Sequence, residues 1–256
     1  MKRISRISVT SRPALLGAVV MLALTSASVA SADDGPGPFG VTADAVGSVR
    51  EARIGALFDA DGAARPAGKH FCTASVVHSP RGDLLATAAH CVSAQDRDLV
   101  FIPGYRNGQA PYGVWRVTRR FLPDGWTRDQ DEDSDVALVT VADLDGRTIE
   151  QTVGGNRFVT GATTGATAVT VTGYPDSREL PIRCTNKPRR QSATQQRIYC
   201  PAFTGGTSGS PWINGDHQVV GILGGHEEGG STDDVSYSVV LGAQAAELYQ
   251  DATTAD

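Results

Sequence analysis

The run Thr204-Gly205-Gly206-Thr207-Ser208-Gly209-Ser210-Pro211 frames a serine with glycines and small residues. With so few side chains in the way, the backbone turns sharply and presents the Ser208 hydroxyl beside unobstructed amide N–H groups. That combination suits acyl transfer. The nucleophile attacks a carbonyl carbon, and the carbonyl oxygen becomes an oxyanion that the amides of Gly206 and Ser208 are placed to hold. A hydroxyl is a weak nucleophile until a base takes its proton, so the chemistry also calls for a histidine and a group to orient it. His90 ends the run Leu84-Leu85-Ala86-Thr87-Ala88-Ala89-His90-Cys91, and Asp135 stands at the mouth of the apolar run Val136-Ala137-Leu138. Taken singly, these read as a packed histidine and a solvated acid. Their joint occurrence with the serine, in the order His90, Asp135, Ser208, is what singles them out.

The elements that must position these residues are short runs of aliphatic and β-branched residues broken by turn residues. They are Ile54–Phe58, Cys72–Val77, Leu84–Ala88, Leu99–Pro103, Val114–Phe121, Val136–Val141, Thr167–Tyr174, Arg197–Phe203 and Gln218–Leu223. Recurrent short strands of this kind predict an all-β sandwich or barrel. Helical spacing is convincing only near the end, where Val240, Leu241, Ala245 and Leu248 form an apolar stripe. Gly154-Gly155 and residues 160–165 are expected to connect two halves, with the boundary near 150–165.

Residues 1–32 carry Lys2, Arg3, Arg6 and Arg12 and no acid, then the apolar run from Ala14 to Leu24, then Ala30-Ser31-Ala32. This is the pattern of a cleavable secretory signal, and the apolar run of 11 residues is too short to span a bilayer as a helix. Residues 33–53 open with Asp33-Asp34-Gly35-Pro36-Gly37-Pro38 and read as a leader or propeptide. Without residues 1–32 the chain has 19 basic against 28 acidic residues, a net charge of -9. Such a balance speaks against attraction to nucleic-acid phosphates or to anionic lipid. The mature chain is expected to be extracellular, off the membrane and monomeric. In that compartment the even set Cys72, Cys91, Cys184 and Cys200 is expected to form disulfides. Three pairings are open on paper; the local one, Cys72–Cys91 and Cys184–Cys200, puts one staple in each half. No pair has the short spacing of zinc ligands, so neither a metal nor another cofactor is expected.

Together, Thr87-Ala88-Ala89-His90-Cys91, Asp135-Val136-Ala137-Leu138 and Gly206-Thr207-Ser208-Gly209-Ser210-Pro211 resemble the three catalytic blocks of chymotrypsin-like serine peptidases. The likeness is greatest to the secreted bacterial branch that includes the glutamyl endopeptidases. The resemblance implies a peptidase domain over residues 54–249, followed by a tail at 250–256. The domain would consist of two antiparallel six-stranded β-barrels and a short C-terminal helix, with His90 and Asp135 from the first barrel and Ser208 from the second. It implies a serine endopeptidase acting on protein or peptide substrates, with Cys72–Cys91 as the bridge beside the histidine. Thr207 stands where animal trypsins have the aspartate that pairs with a new N-terminus, so that activation bridge is not expected here. Leu223 stands where the glutamyl endopeptidases have a histidine.

The primary pocket is expected from Ala202 and Phe203 before the serine and from Leu223, Gly224 and Gly225 on the facing segment, none of them charged. The glycine-framed serine of α/β-hydrolases fits poorly, because that fold needs its histidine after the serine and leaves only His217 and His226, which read as surface residues. Asp129, Asp131, Asp133 and Asp135 have calcium-loop spacing, yet the loop's glycine and closing glutamate fall on Ser134 and Thr140; a solvated acidic loop is the reading taken. A peptidase scaffold can also serve as a noncatalytic binding module, but no residue of the proposed site is missing.

Overall fold

The computed structural model describes residues 38–255 except Ala63 and Arg65; the expected signal at 1–32 lies outside the described residues. The first half is a closed barrel. Its strands are β2 (Ile54–Asp59), β3 (His70–Val77), β4 (Leu84–Thr87), β5 (Leu99–Pro103), β6 (Trp115–Phe121) and β7 (Ala137–Val141), arranged around the ring as β2-β3-β4-β7-β6-β5, with every neighbouring pair antiparallel. A preceding short strand, β1 (Thr42–Asp44), belongs to the other half. Closure removes the sheet edges, and the strands turn Leu57, Ala74, Val76, Leu85, Phe101 and Leu138 into one apolar cluster.

The second half holds β8 (Arg157–Phe158), β9 (Val169–Gly173), β10 (Ile182–Asn186), β11 (Arg189–Arg190), β12 (Gln195–Tyr199), β13 (Pro211–Asn214), β14 (Gln218–Ile222) and β15 (Val235–Val239). Its backbone ladders form a six-stranded sheet in the order β1-β10-β9-β13-β14-β8 and a three-stranded sheet β11-β12-β15. Side chains close the seam between them. Ser238 Oγ accepts from Ile222 N–H at 2.9 Å, and Gln196 Nε2 donates to Val220 O at 3.1 Å. Buried hydroxyl and amide groups thus take the place of strand-to-strand bonds where β14 meets β12 and β15, which is why this half is two ladders rather than one continuous ring. Disulfides join Cys72 to Cys91 and Cys184 to Cys200, the local pairing.

Among the described residues the α-helices are α1 (Ala89–Val92), α2 (Asp124–Asp129), α3 (Ile149–Val153) and α4 (Ala243–Thr254). The last buries Ala245, Leu248 and Ala252 against the first barrel, so the expected tail continues this helix as far as Thr254. No helix among the described residues is long and apolar enough to cross a membrane.

The stretch expected as a leader contributes structure at its described residues. β1 pairs with β10, from Thr42 opposite Cys184 to Asp44 opposite Ile182. Ala45 and Ala52 are buried, and Arg53 Nη1 donates to Asn156 Oδ1 at 3.2 Å. A chain cut after Arg53 would lose an edge strand, the burial of Ala45 and Ala52, and the bond to Asn156. Deleting residues 33–53 is therefore expected to lower the thermal midpoint by about 5 °C or more, read by thermal unfolding of the two forms. An unchanged midpoint would show that the strand adds nothing.

Candidate active site

Strand register brings the histidine and the aspartate together. Thr87 at the end of β4 lies opposite Ala137 at the start of β7, so residues just after Thr87 and just before Ala137 leave the barrel at the same point. His90 sits there on the single turn of α1, fixed by the bond from Cys91 to Cys72 on β3. Asp135 is fully buried. A buried carboxylate is tolerable only when its oxygens are paired. Oδ1 accepts the His90 main-chain N–H at 3.0 Å, and Oδ2 accepts Gly225 N–H at 2.7 Å and lies 2.8 Å from His90 Nδ1. Since Oδ2 can only accept, the proton sits on Nδ1, leaving Nε2 of the neutral ring as an acceptor. The His90 side chain remains 15 % exposed, with the Trp126 ring 6.4 Å away.

The serine loop of the second half is tied to the same barrel, with no hydrogen bond between Ser208 and His90 among the described residues. Ser208 C=O accepts from Thr73 N–H at 2.7 Å, one residue along β3 from the disulfide that holds His90. Gly209 N–H donates to Leu223 O at 2.7 Å and Leu223 N–H to Ser210 O at 2.8 Å, which ties the loop to the facing pocket segment. Gly205 O accepts Asp176 N–H at 2.8 Å. Across a planar trans peptide the C=O and the next N–H point in opposite directions, so the Gly206 N–H is aimed away from Asp176. Thr207, Gly209 and Ser210 all spend their N–H groups on protein carbonyls, whereas those of Gly206 and Ser208 have no acceptor among the described residues. Gly206 is obligatory here: its φ is +87°, and a Cβ would come within 2.5 Å of Asp176 N and 2.6 Å of Tyr174 O. The Thr207 hydroxyl donates to Thr204 O at 2.7 Å, so the residue in the trypsin aspartate's place is bound within its own loop.

Two of the residues expected to line the pocket share one apolar cluster. Phe203 and Leu223 are buried in a cluster with Trp212, Ile198 and the Cys184–Cys200 disulfide. Ala202 takes a left-handed φ of +68° as the chain turns into the loop, and Phe203 N–H is held by Asp233 O at 2.9 Å. Gly224 and Gly225 follow Leu223, and Gly225 N–H binds Asp135.

The fold agrees with comparison to known proteins. A trypsin-like peptidase domain matches residues 72–222, more than half of the chain. The chain belongs to the trypsin-like peptidase family. Relatives of this trypsin-like chain include an extracellular metalloprotease of Bacillus subtilis, 27% identical over 145 residues that cover 55% of this chain and 45% of the relative. A glutamyl endopeptidase of Bacillus licheniformis is 31% identical over 133 residues, covering 50% of this chain and 41% of the relative. The chain thus spans less than half the length of the curated relatives it matches. The solved structure of the protease Anisep from Arthrobacter nicotinovorans overlays with a TM-score of 0.71 at 23% identity, covering 84% of this chain and 100% of that one, and shows the shared fold.

The name of the first relative raises the question of a metal. The one group of potential ligands that converges among the described residues is Cys72, His90 and Cys91. Both cysteines are consumed in a disulfide, which offers no thiolate, so these residues do not fit a metal. Three acids of the 129–135 stretch have partners within the protein. Asp131 Oδ1 caps the turn at Asp133 N–H, Asp133 Oδ1 accepts from Gln195 Nε2 at 2.9 Å, and Asp135 is turned inward.

Two of the remaining histidines gain settings that sequence alone did not suggest. His217 takes a left-handed φ of +57° in the turn between β13 and β14, its side chain lining a cavity beside the N-terminal stretch. His226 follows Gly225 directly. Its Nδ1 lies 3.2 Å from Glu132 Oε2, and its ring meets Tyr237 edge-on at 4.9 Å. Neither makes a hydrogen bond to the serine loop among the described residues.

Proposed function

We propose that this chain is a secreted serine endopeptidase working through His90, Asp135 and Ser208. The observation that carries the reading is the pairing of Asp135 with His90 Nδ1 in a site where the amides of Gly206 and Ser208 are unspent. In the first step Ser208 Oγ attacks the scissile carbonyl carbon while its proton passes to His90 Nε2. Asp135 holds the ring and stabilises the imidazolium, and the N–H groups of Gly206 and Ser208 receive the oxyanion. Collapse returns the proton to the leaving amine and leaves an ester on Ser208. Water activated by His90 then hydrolyses the ester. The two disulfides suit an oxidising compartment, as export by the signal at 1–32 requires.

The test is labelling by a fluorophosphonate probe, which reacts with serines activated in this way. Modification is expected at Ser208 and is expected to disappear in Ser208→Ala. A folded protein that took up no label would overturn the reading.

Specificity is inferred from the uncharged residues expected to line the primary pocket. A glutamate side chain would meet Phe203 and Leu223, and a lysine or arginine would find no carboxylate among Ala202, Phe203, Leu223, Gly224 and Gly225. Burying either charge unpaired costs several kcal/mol. We therefore expect cleavage after small or medium uncharged residues, even though one relative is named for glutamyl bonds. Peptides that differ only at the residue donating the scissile carbonyl decide it. A preference for Glu, Lys or Arg would mean that a charged group from another segment enters the pocket.

A further inference from the structure

Gln195 opens β12 in the second half, far in sequence from the turn that leads into Asp135, and it is almost fully buried. Its Nε2 donates to Glu132 O and to Asp133 Oδ1, each at 2.9 Å. Its Oε1 lies 3.5 Å from His226 N–H. Only this orientation of the amide works, because the reverse would set Oε1 against two oxygens. Both donors therefore grip the turn Glu132–Ser134 that leads into Asp135, while the acceptor faces the segment that supplies Gly225 N–H to Asp135. Gly225 itself has φ +80°, and a Cβ there would come within 2.5 Å of Gln195 Oε1, so the amide is packed directly against that backbone.

Glu132 reinforces the same junction. Its Oε1 accepts Glu227 N–H at 2.8 Å, and its Oε2 faces His226 Nδ1 at 3.2 Å. The chain needs holding at this point, because Glu227 and Glu228 are consecutive non-glycine residues with φ of 50° and 54°. Left-handed backbone in such residues persists only where surrounding contacts impose it.

We propose that Gln195 is a positioning residue for the catalytic pair: it clasps the Asp135 loop of the first half to the Gly225 segment of the second and so fixes the carboxylate to which His90 is bound. The inference rests on the triad reading above. A misplacement of about 1 Å in such a group lowers turnover by up to about 100-fold without touching substrate affinity directly.

The experiment compares Gln195→Met, Gln195→Glu and the double variant Gln195→Glu/Asp133→Asn. Methionine matches the volume but leaves Glu132 O and Asp133 unpaired. Glutamate sets a carboxylate against both oxygens. Asparagine at 133 offers an amide donor back to it. With active sites counted by fluorophosphonate uptake, kcat is expected to fall about 10- to 100-fold in both single variants while KM stays within about threefold. The double variant is expected to recover much of the Gln195→Glu loss. The low-field proton resonance of the His90 Nδ1–H should shift or broaden in the single variants and return in the double.

Turnover and resonance both unchanged in the single variants would overturn the proposal. So would a loss of kcat that the double variant fails to recover, and so would unfolding that accounts for the whole loss. The resonance does not depend on turnover. A parent protein that hydrolyses nothing while its resonance responds to Gln195 would refute the endopeptidase reading and leave the clasp standing.

Discussion

Ser208→Ala and His90→Ala are each expected to lower kcat on a peptide substrate by roughly 10⁴- to 10⁶-fold, and the double variant is expected to be no slower than the worse of the two. The non-additivity follows from the roles. A serine without a base and a base without a serine are equally unable to form the ester, so removing the second member takes nothing further away. What remains is catalysis by binding and by the amides of Gly206 and Ser208. Asp135→Asn should cost about 10⁴-fold by a different route. Both carboxylate oxygens accept main-chain N–H groups, from His90 and from Gly225, and Oδ2 also accepts His90 Nδ1–H. Whichever oxygen becomes an NH₂, it faces an N–H. If it replaces Oδ2, the imidazole must turn its acceptor toward it, and the proton moves to Nε2, where it blocks the transfer from Ser208. Steady-state hydrolysis of one peptide by the three single variants and the double variant checks the set. Near-parental activity in Ser208→Ala would remove the mechanism altogether.

The part of the site legible in the sequence was the part held by short-range rules. A glycine-framed serine, a histidine beside a cysteine and an aspartate before an apolar strand can each be read in a window of a few residues. The strands of the first barrel were legible because their apolar residues alternate or run together as buried strands do. Much of the second half was not. β15 reads Val235-Ser236-Tyr237-Ser238-Val239, and it is the serines that point inward: Ser236 and Ser238 are buried while Val235 and Tyr237 are partly exposed. Apolar alternation therefore marks the wrong face, since the buried hydroxyl of Ser238 is needed at the seam with β14. β1 is three polar or small residues whose pairing with β10 spans most of the chain, and no local signal announces it. Gln195 was invisible for the same reason, because a buried glutamine is recognised only by partners it meets after folding. His226 read as a surface residue in a glycine-rich turn, and it is the conformation of that turn, not its composition, that puts it beside Glu132.

Gly206→Ala tests the oxyanion site apart from the triad, and kcat is expected to fall about 10²- to 10³-fold with the triad intact. The added methyl group meets main-chain atoms, Asp176 N at 2.5 Å and Tyr174 O at 2.6 Å, in a backbone conformation that alanine resists at φ +87°. Neither neighbour is the mobile end of a side chain, so the loop itself must give. Rotation of the peptide between Gly205 and Gly206 relieves the contact but breaks the bond from Asp176 N–H to Gly205 O and swings the Gly206 N–H away from the developing charge. Only the Ser208 amide is then left. A donor lost from this position acts mainly on the transition state, because a planar carbonyl carries little of the charge that the tetrahedral intermediate places on the same oxygen, so KM should move far less than kcat. Gly205→Ala is the control. Its methyl group would lie 2.9 Å from Asp176 Oδ2, the end of a side chain that can turn aside, and a smaller loss is expected. Kinetics per labelled site, with thermal unfolding to show that both variants are folded, separate the outcomes. If Gly206→Ala kept kcat within about threefold of the parent, the Gly206 amide would not be a donor to the oxyanion.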